Sequence, residues 1–373
     1  MNKIIFVTNI PTPYRNSFYN SLHELGLEFE VLFQRESEDG RYWKVSDMHF
    51  CFSHTIFSGI YFKFSRFHFH FVPRMIKYLM RNRESKLIIG LGWNEIDTLI
   101  LILLKKIGFF RGDFYFWSEA NYLTSGAMKN NFFKSIYRRF IYNTKGCIHL
   151  ISGKMTEITL SKWRVSVNNP VPLPNVIEEE RFNVTDSEIA ERRNNKLPIF
   201  VVPIRLVERD KGLVNYLNAL GVDNIKKAVF MIAGDGEDRS DYQRFIDENG
   251  LSEHVILLGH VSSSAMRELY SIANILLLPS FSDPSPLSVF EAMAMKLPIL
   301  ISYRCGNHFE ALIDSINGFG FDPANRDEIV DSFLKIIERR NKLELMGNES
   351  YEIYSKNFSK KIVINKLIGS LSV

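Results

Sequence analysis

One feature of the chain constrains its fold more than any other: short apolar runs alternate with helix-spaced amphipathic stretches from end to end. The first set of runs is Ile4–Thr8, Phe29–Phe33, Leu87–Ile89, Phe114–Trp117 and Cys147–Ile151. The second set is Ile199–Ile204, Ala228–Ala233, Val255–Leu258, Ile275–Leu278 and Ile299–Ser302. Runs of this length bounded by Gly, Pro or Asn read as strands of a parallel sheet, buried on both faces. Helical stretches between them predict βαβ units with right-handed crossovers. The predicted fold class is therefore α/β, with two Rossmann-like doubly wound domains.

At 373 residues the chain is too long for one comfortable core. A break separates the two sets: 167–175 reads VNNPVPLPN, and 186–196 is charged and lacks an apolar face. Residues 168–196 read as a linker. The expected division is 1–170, then 171–350 including the linker, then a C-terminal helix within 351–373 that is free to pack back on the first domain. Open α/β sheets bind ligands outside the carboxyl ends of their strands. Two such sheets facing each other across a cleft would put a ligand there.

Several classes of function are disfavoured. Cys51, Cys147 and Cys305 are far apart and form no CxxC pair, as expected of reduced thiols in a cytoplasmic protein. The apolar run Ile4–Val7 is too short for a signal peptide. Leu99–Leu104 lies between Asp97 and the pair Lys105–Lys106, and a membrane span needs about 20 apolar residues. No DxD, HExxH, Walker A or GxSxG pattern occurs, and His149, His254 and His260 are isolated and read as structural. No metal and no cofactor are expected. The net charge of +4 is too mild to suggest a nucleic-acid partner.

Three loops offer chemistry. The first, Arg205 to Gly212, carries two cations, Arg205 and Lys211, ahead of a predicted helix near Gly212. An Arg fork, a mobile Lys and a helix N-terminus suit a diphosphate, though a charged surface loop fits the spacing equally well. The second is Ala233-Gly234-Asp235-Gly236, where Gly234 and Gly236 allow a ligand or a backbone to approach closely; a plain turn is the alternative. The third runs from Ser282 to Ala294 and holds Asp283 in a Pro-rich turn and Glu291 about one turn into a helix starting near Pro286. Ionised carboxylates accept hydrogen bonds and sugar hydroxyls donate them, so this pair suits a polyol. Acids at a helix N-terminus are also common for stability alone.

In this order and spacing, the three loops resemble those of retaining glycosyltransferase family 4, of the GT-B fold. PSPLSVFEAMAMKLPILIS followed by Gly306, Glu310, Asn317 and Gly318 carries the resemblance, with looser matches at TNIPTPYRNSFYNSL, WSEAN and VPLPNVIEEERF. It implies that Arg205 and Lys211 hold the diphosphate of a nucleotide-sugar. Glu291 would bind the ribose hydroxyls. Asp283 would bind the transferred sugar beside the backbone of Ser285, Pro286 and Leu287, where Ser285 and Leu287 supply N–H groups. Asp283 stands where the family usually has glutamate. Pro11–Arg15 replaces a glycine-rich turn, which leaves Arg15 to serve phosphate or acceptor. Ser118, Glu119 and Asn121 occupy the place of a frequent histidine, so Glu119 is either a group at the reacting centre or a structural acid.

The resemblance implies an acceptor on the first domain: a glycan or polyprenyl-linked glycan in bacterial surface polysaccharide or O-antigen synthesis. Two aromatic and basic clusters lie there. One is Phe62, Phe64, Phe67, Phe69 and Phe71 with Lys63 and Arg66; the other is Phe132, Phe133, Lys134, Tyr137, Arg138 and Arg139. They read either as core or as a patch for peripheral contact with the anionic inner face of the plasma membrane. A nucleotide-sugar 2-epimerase and a non-catalytic sugar-nucleotide binder are the competing functions.

Overall fold

The computed structural model describes residues 3–37, 44–64, 67–123, 132–167 and 169–371. Two compact units emerge. The first takes the chain up to Tyr122, the segment ending at Val176, and the C-terminal residues from Val363; the second spans Ile177–Ile362.

The first unit is built on seven parallel strands: β1 Ile4–Thr8, β2 Phe29–Phe33, β3 Ser53–Ile56, β6 Lys86–Ile89, β7 Phe114–Ser118, β8 Cys147–Ile151 and β9 Val171–Pro172, in the order β3-β2-β1-β6-β7-β8-β9. Every residue of β1, β2 and β7 is buried, as strands covered on both faces must be. Aromatic rings fill much of this core: Phe6, Tyr19, Phe29 and Phe52 contact one another edge-on or stacked. The segments β4 Ile60–Phe64 and β5 Phe67–Phe71 form a separate antiparallel hairpin, pairing Ile60 with Phe71. The side chains of 61–69 lie outside the described residues, and with them the first aromatic cluster.

The second unit has six parallel strands: β10 Ile199–Pro203, β11 Val229–Ala233, β12 Val255–Gly259, β13 Ile275–Leu278, β14 Ile299–Ser302 and β15 Gly318–Phe321, ordered β12-β11-β10-β13-β14-β15. The glycine-rich β15 escapes an apolar-run reading. A Cβ on Gly318 would stand 1.8 Å from the Ile299 carbonyl, so glycine is what lets the two strands pair.

Two expectations need correction. The stretch 168–196 is not a bare linker. Val171–Pro172 adds a strand to the first sheet, and Asp186–Arg193 is a helix. A capping box at Thr185 and Glu188 starts that helix, and it buries Ile189 and Arg192 at i, i+3. The C-terminal segment is two helices, Leu343–Asn357 and Lys360–Leu371, rather than one. Phe358 turns inward against Phe290, and Glu179 accepts from the Lys360 N–H at 2.7 Å, which caps the second helix. In that last helix Val363, Ile364, Leu367 and Leu371 belong to the core of the first unit.

Candidate functional site

Each sheet reverses its winding once. In the second unit the reversal lies between β10 and β13, and the loops after these two strands carry Lys211 and Asp283. A reversal of this kind leaves a crevice at the carboxyl ends where ligands of such sheets bind. Lys211 Nζ donates to Asp283 Oδ2 at 2.5 Å, and both side chains are mostly enclosed. The two groups are therefore partners rather than independent handles.

Backbone contacts hold the loops in place. The Ser282 N–H donates to the Asp210 carbonyl, the Gly306 N–H to the Asp283 carbonyl at 2.9 Å, and Asn307 Nδ2 to the Pro286 carbonyl at 3.0 Å. The loop after β13 is thus held between the loops after β10 and β14. From it springs the helix Leu287–Ala294, with Pro286 as N-cap and no side chain capping it. Its first N–H groups are left without intrahelical acceptors, and they carry the positive end of the helix dipole. Two buried polar atoms on these loops, Ser285 Oγ and Asn307 Oδ1, have no hydrogen-bond partner among the described residues. An open helix tip beside orphaned polar atoms and a cation is a built place for an anion with polar substituents.

The other helix tip is closed. A single helical turn, Glu208–Lys211, ends at Gly212 (φ +60°), and the helix Leu213–Leu220 follows. The Glu208 carboxylate accepts from Val214 N (3.0 Å), Asn215 N (2.9 Å) and Tyr242 Oη (2.7 Å). The positive end near Gly212, expected to serve a phosphate, is thus occupied by an internal carboxylate. Of these two tips, the one at Leu287 has no side-chain cap among the described residues. The sequence signal was an acid one turn ahead of the glycine, and it went unread.

Arg205 is exposed on the turn after β10 and makes no side-chain hydrogen bond or ion pair among the described residues. Gly234 and Gly236 serve backbone packing: a Cβ there would stand 1.8 Å from the Ile204 carbonyl and 2.4 Å from the Leu206 carbonyl. Their work is to join the loops after β10 and β11, through Leu206 N to the Asp235 carbonyl and Asp238 N to the Leu206 carbonyl. Glu291 accepts from the Tyr270 hydroxyl at 2.8 Å. Burial raises its pKa to about 7, with Glu178 adding to the rise and the Tyr270 bond opposing it. Tyr270, fully buried, is a positioning residue that the sequence reading missed.

In the first unit the reversal lies between β1 and β6. Arg15 lies across it, with Nη1 donating to Thr8 Oγ1 (3.0 Å), Nη2 to Glu119 Oε1 (2.9 Å), and its guanidinium 4.5 Å from the Trp117 ring. Gly90, just after β6, leaves the room: a Cβ there would stand 3.2 Å from Arg15 Nη1. Burial opposes the charge on Arg15, but Tyr14 and Glu119 outweigh it, and the pKa is raised. Glu119 is therefore paired with Arg15 rather than standing alone, at the rim of the sheet.

Burial pushes the His149 pKa down to about 4, and its ring stacks on Phe116, so it stays neutral in the core. His254 Nδ1 faces the Ala228 carbonyl at 2.9 Å. Among the described residues no three His, Cys, Asp or Glu side chains gather as a metal cluster, and no helix is long and apolar enough to cross a membrane.

With this geometry in place, residues 184–353 match the family model for glycosyl transferases group 1. An uncharacterized glycosyltransferase of Methanocaldococcus jannaschii is 26% identical over 195 residues, 51% of this chain and 49% of the relative. The alpha-monoglucosyldiacylglycerol synthase of Acholeplasma laidlawii is 30% identical over 136 residues, 36% of this chain and 32% of the relative. The matches thus span about half or less of these curated relatives' length. Among solved structures, the Anabaena protein HepE in complex with UDP superposes with a TM-score of 0.76 at 14% identity, covering 99% of each chain. That likeness shows the fold: two Rossmann-like parallel-sheet units of the GT-B type.

Proposed function

We propose, from the premise that residues 184–353 form a group 1 glycosyltransferase domain in a chain of GT-B fold, that the protein moves a sugar from a nucleoside-diphosphate sugar to a glycan or lipid-linked glycan acceptor. The observation that carries this reading is the Lys211–Asp283 pair at the sheet's reversal, beside the uncapped helix tip at Leu287 and one turn from Glu291. On donor binding, Lys211 exchanges Asp283 for a diphosphate oxygen, joined there by the exposed Arg205. The freed Asp283 then accepts from a hydroxyl of the transferred sugar. Glu291, held by Tyr270, accepts from the ribose. The bond from the anomeric carbon to the phosphate oxygen breaks as the bond to the acceptor oxygen forms on the same face. The acceptor's proton leaves on the departing diphosphate, so configuration is retained. Charge grows on the leaving group in this step, where fixed positive groups lower the barrier most.

The reaction needs no metal ion in this reading, so turnover is expected to survive chelation by EDTA. The acceptor is a component of a bacterial surface polysaccharide of the O-antigen kind, assembled at the cytoplasmic face of the membrane. The helix Phe132–Tyr142 supports that placement: Phe132 and Phe133 are 74% and 75% exposed, next to Lys134 and Arg139. An apolar face rimmed by cations fits an anionic bilayer. Co-sedimentation with anionic vesicles that falls as salt rises supports this docking; equal recovery with and without anionic lipid removes it.

Incubating the protein with a set of nucleotide-sugars tests the main reading. Slow release of free nucleoside diphosphate, accelerated by an acceptor, is the expected result. An isomerised donor would make the protein an epimerase, and binding without turnover a non-catalytic relative; either outcome overturns the proposal.

A further inference from the structure

At the opposite end of the second sheet, a cavity of about 520 Å³ opens beneath the amino ends of β13 and β14. Asn274 and Pro298, which immediately precede those strands, form its floor. Its volume lies within the range of small-molecule sites. Arg192, Arg193, Lys296 and Arg340 line it, against the two acids Glu338 and Glu344.

Cations in such a place have an ordinary explanation, because the carboxyl ends of helices carry partial negative charge. Here one residue fulfils that role. Buried Arg192 donates to the carbonyls of Tyr270 (2.9 Å), Ser271 (2.8 Å), Met295 (3.1 Å) and Lys296 (3.4 Å), at the ends of the helices Ser263–Ile272 and Leu287–Ala294. Arg193 is matched by Glu344. Arg340 donates to the Asn195 and Lys196 carbonyls but has no carboxylate partner among the described residues. Lys296 has none either. Its backbone is left-handed (φ +54°), which fixes where its side chain leaves the chain, and its ammonium stands 5.6 Å from the Tyr351 ring. With Arg192 given to the helix ends and Arg193 to Glu344, Lys296 and Arg340 stand against the one remaining acid, Glu338, a surplus of one positive charge in a recess whose remaining walls include the apolar Ile189 and Leu343.

We propose that this cavity is a second binding site, for a phosphate-bearing small molecule, distinct from the loops that follow β10 and β13. The Arg340 guanidinium and the Lys296 ammonium would take the phosphate oxygens. Ile189 and Leu343 would cover the uncharged part of the ligand. The inference does not depend on the donor reading, since it uses none of the same residues.

Isothermal titration of the full chain with inorganic pyrophosphate tests it, in a Lys211→Ala background that weakens the loops after β10 and β13. Binding is expected to persist there and to weaken at least about tenfold when Lys296→Asn and Arg340→Gln are added. Asn tolerates the left-handed backbone at position 296, so the melting temperature of this variant should match its parent. Unchanged affinity in the triple variant overturns the proposal, and so does binding that Lys211→Ala alone abolishes. Absence of any heat also overturns it, while leaving the donor reading to be decided by nucleotide-sugar turnover.

Discussion

The two sheets solve the same geometric problem in opposite ways. Each reverses its winding once, and each sets a cation and a carboxylate outside its strands at that place. In the first unit Arg15 is locked, with Thr8, Glu119 and the Trp117 ring claiming its planar guanidinium. In the second unit the Lys211 ammonium donates to Asp283, next to a helix tip that no side chain caps among the described residues. A guanidinium fork held at several points gives up its partners reluctantly, whereas an ammonium on a flexible stem exchanges one oxygen for another easily. The difference teaches that a cation–acid pair at a sheet reversal is not by itself a binding site. What matters is whether the pair can be exchanged and whether an empty polar place lies beside it.

The largest expected effect is on the exchangeable pair. Lys211→Ala should lower donor turnover about 10²- to 10³-fold, as loss of one transition-state charge contact does, with the chain still folded by circular dichroism. Normal release of nucleoside diphosphate by this variant would erase the contrast between the two reversals. Glu291→Ala is expected next, raising the donor KM about tenfold or more with a smaller change in kcat, as loss of a uniform binding contact does. Arg15→Lys should act chiefly on stability, costing about 1–3 kcal/mol for the donors and acceptors it leaves unmatched, read as a lower urea midpoint. A wild-type midpoint with a large loss of turnover would make Arg15 a reacting group and reverse its assignment as a lock.

The smallest effects are in pH. Glu291 has its pKa raised from 4.5 to about 7, and it must be ionised to accept from ribose. The donor KM should therefore fall as pH rises through about 7, and in Tyr270→Phe the midpoint should move higher, because the bond that opposes the rise is gone. The same shift acts on the ligand-free fold. A group protonated more tightly when folded adds stability that is full below pH about 4.5 and lost as pH rises through about 7. Glu291→Gln should flatten that slope in urea melts at successive pH values.

Much of the architecture was legible in the residues. Of the ten strands expected from apolar runs, all appear within a residue or so at either end, because a strand buried on both faces advertises itself locally. Five strands lay outside those runs: Ile60–Phe64 and Phe67–Phe71 interleave aromatic with basic or histidine residues, and the other three lack an apolar run. Ser53–Ile56 is partly exposed, Val171–Pro172 is two residues long, and Gly318–Phe321 alternates glycine with phenylalanine. The helix Asp186–Arg193 escaped because its buried side is one isoleucine and one arginine, and a buried arginine looks like a surface residue until its carbonyl partners are seen.

By itself the sequence determined two α/β halves and the three chemically promising loops, with two cations on the first and two acids on the third. Those properties are local, written in periodicity and in neighbours a few positions apart. Only the tertiary structure decided that Glu208 closes one helix tip while no side chain caps the tip at Leu287, that Tyr270 orients Glu291, that Gly234 and Gly236 let two loops pack backbone to backbone, and that Arg15 and Glu119, 104 residues apart, are joined. The reason is physical: a hydrogen bond or an ion pair depends on distance and direction to within an ångström, and the packing of separate strands, not spacing along the chain, sets both.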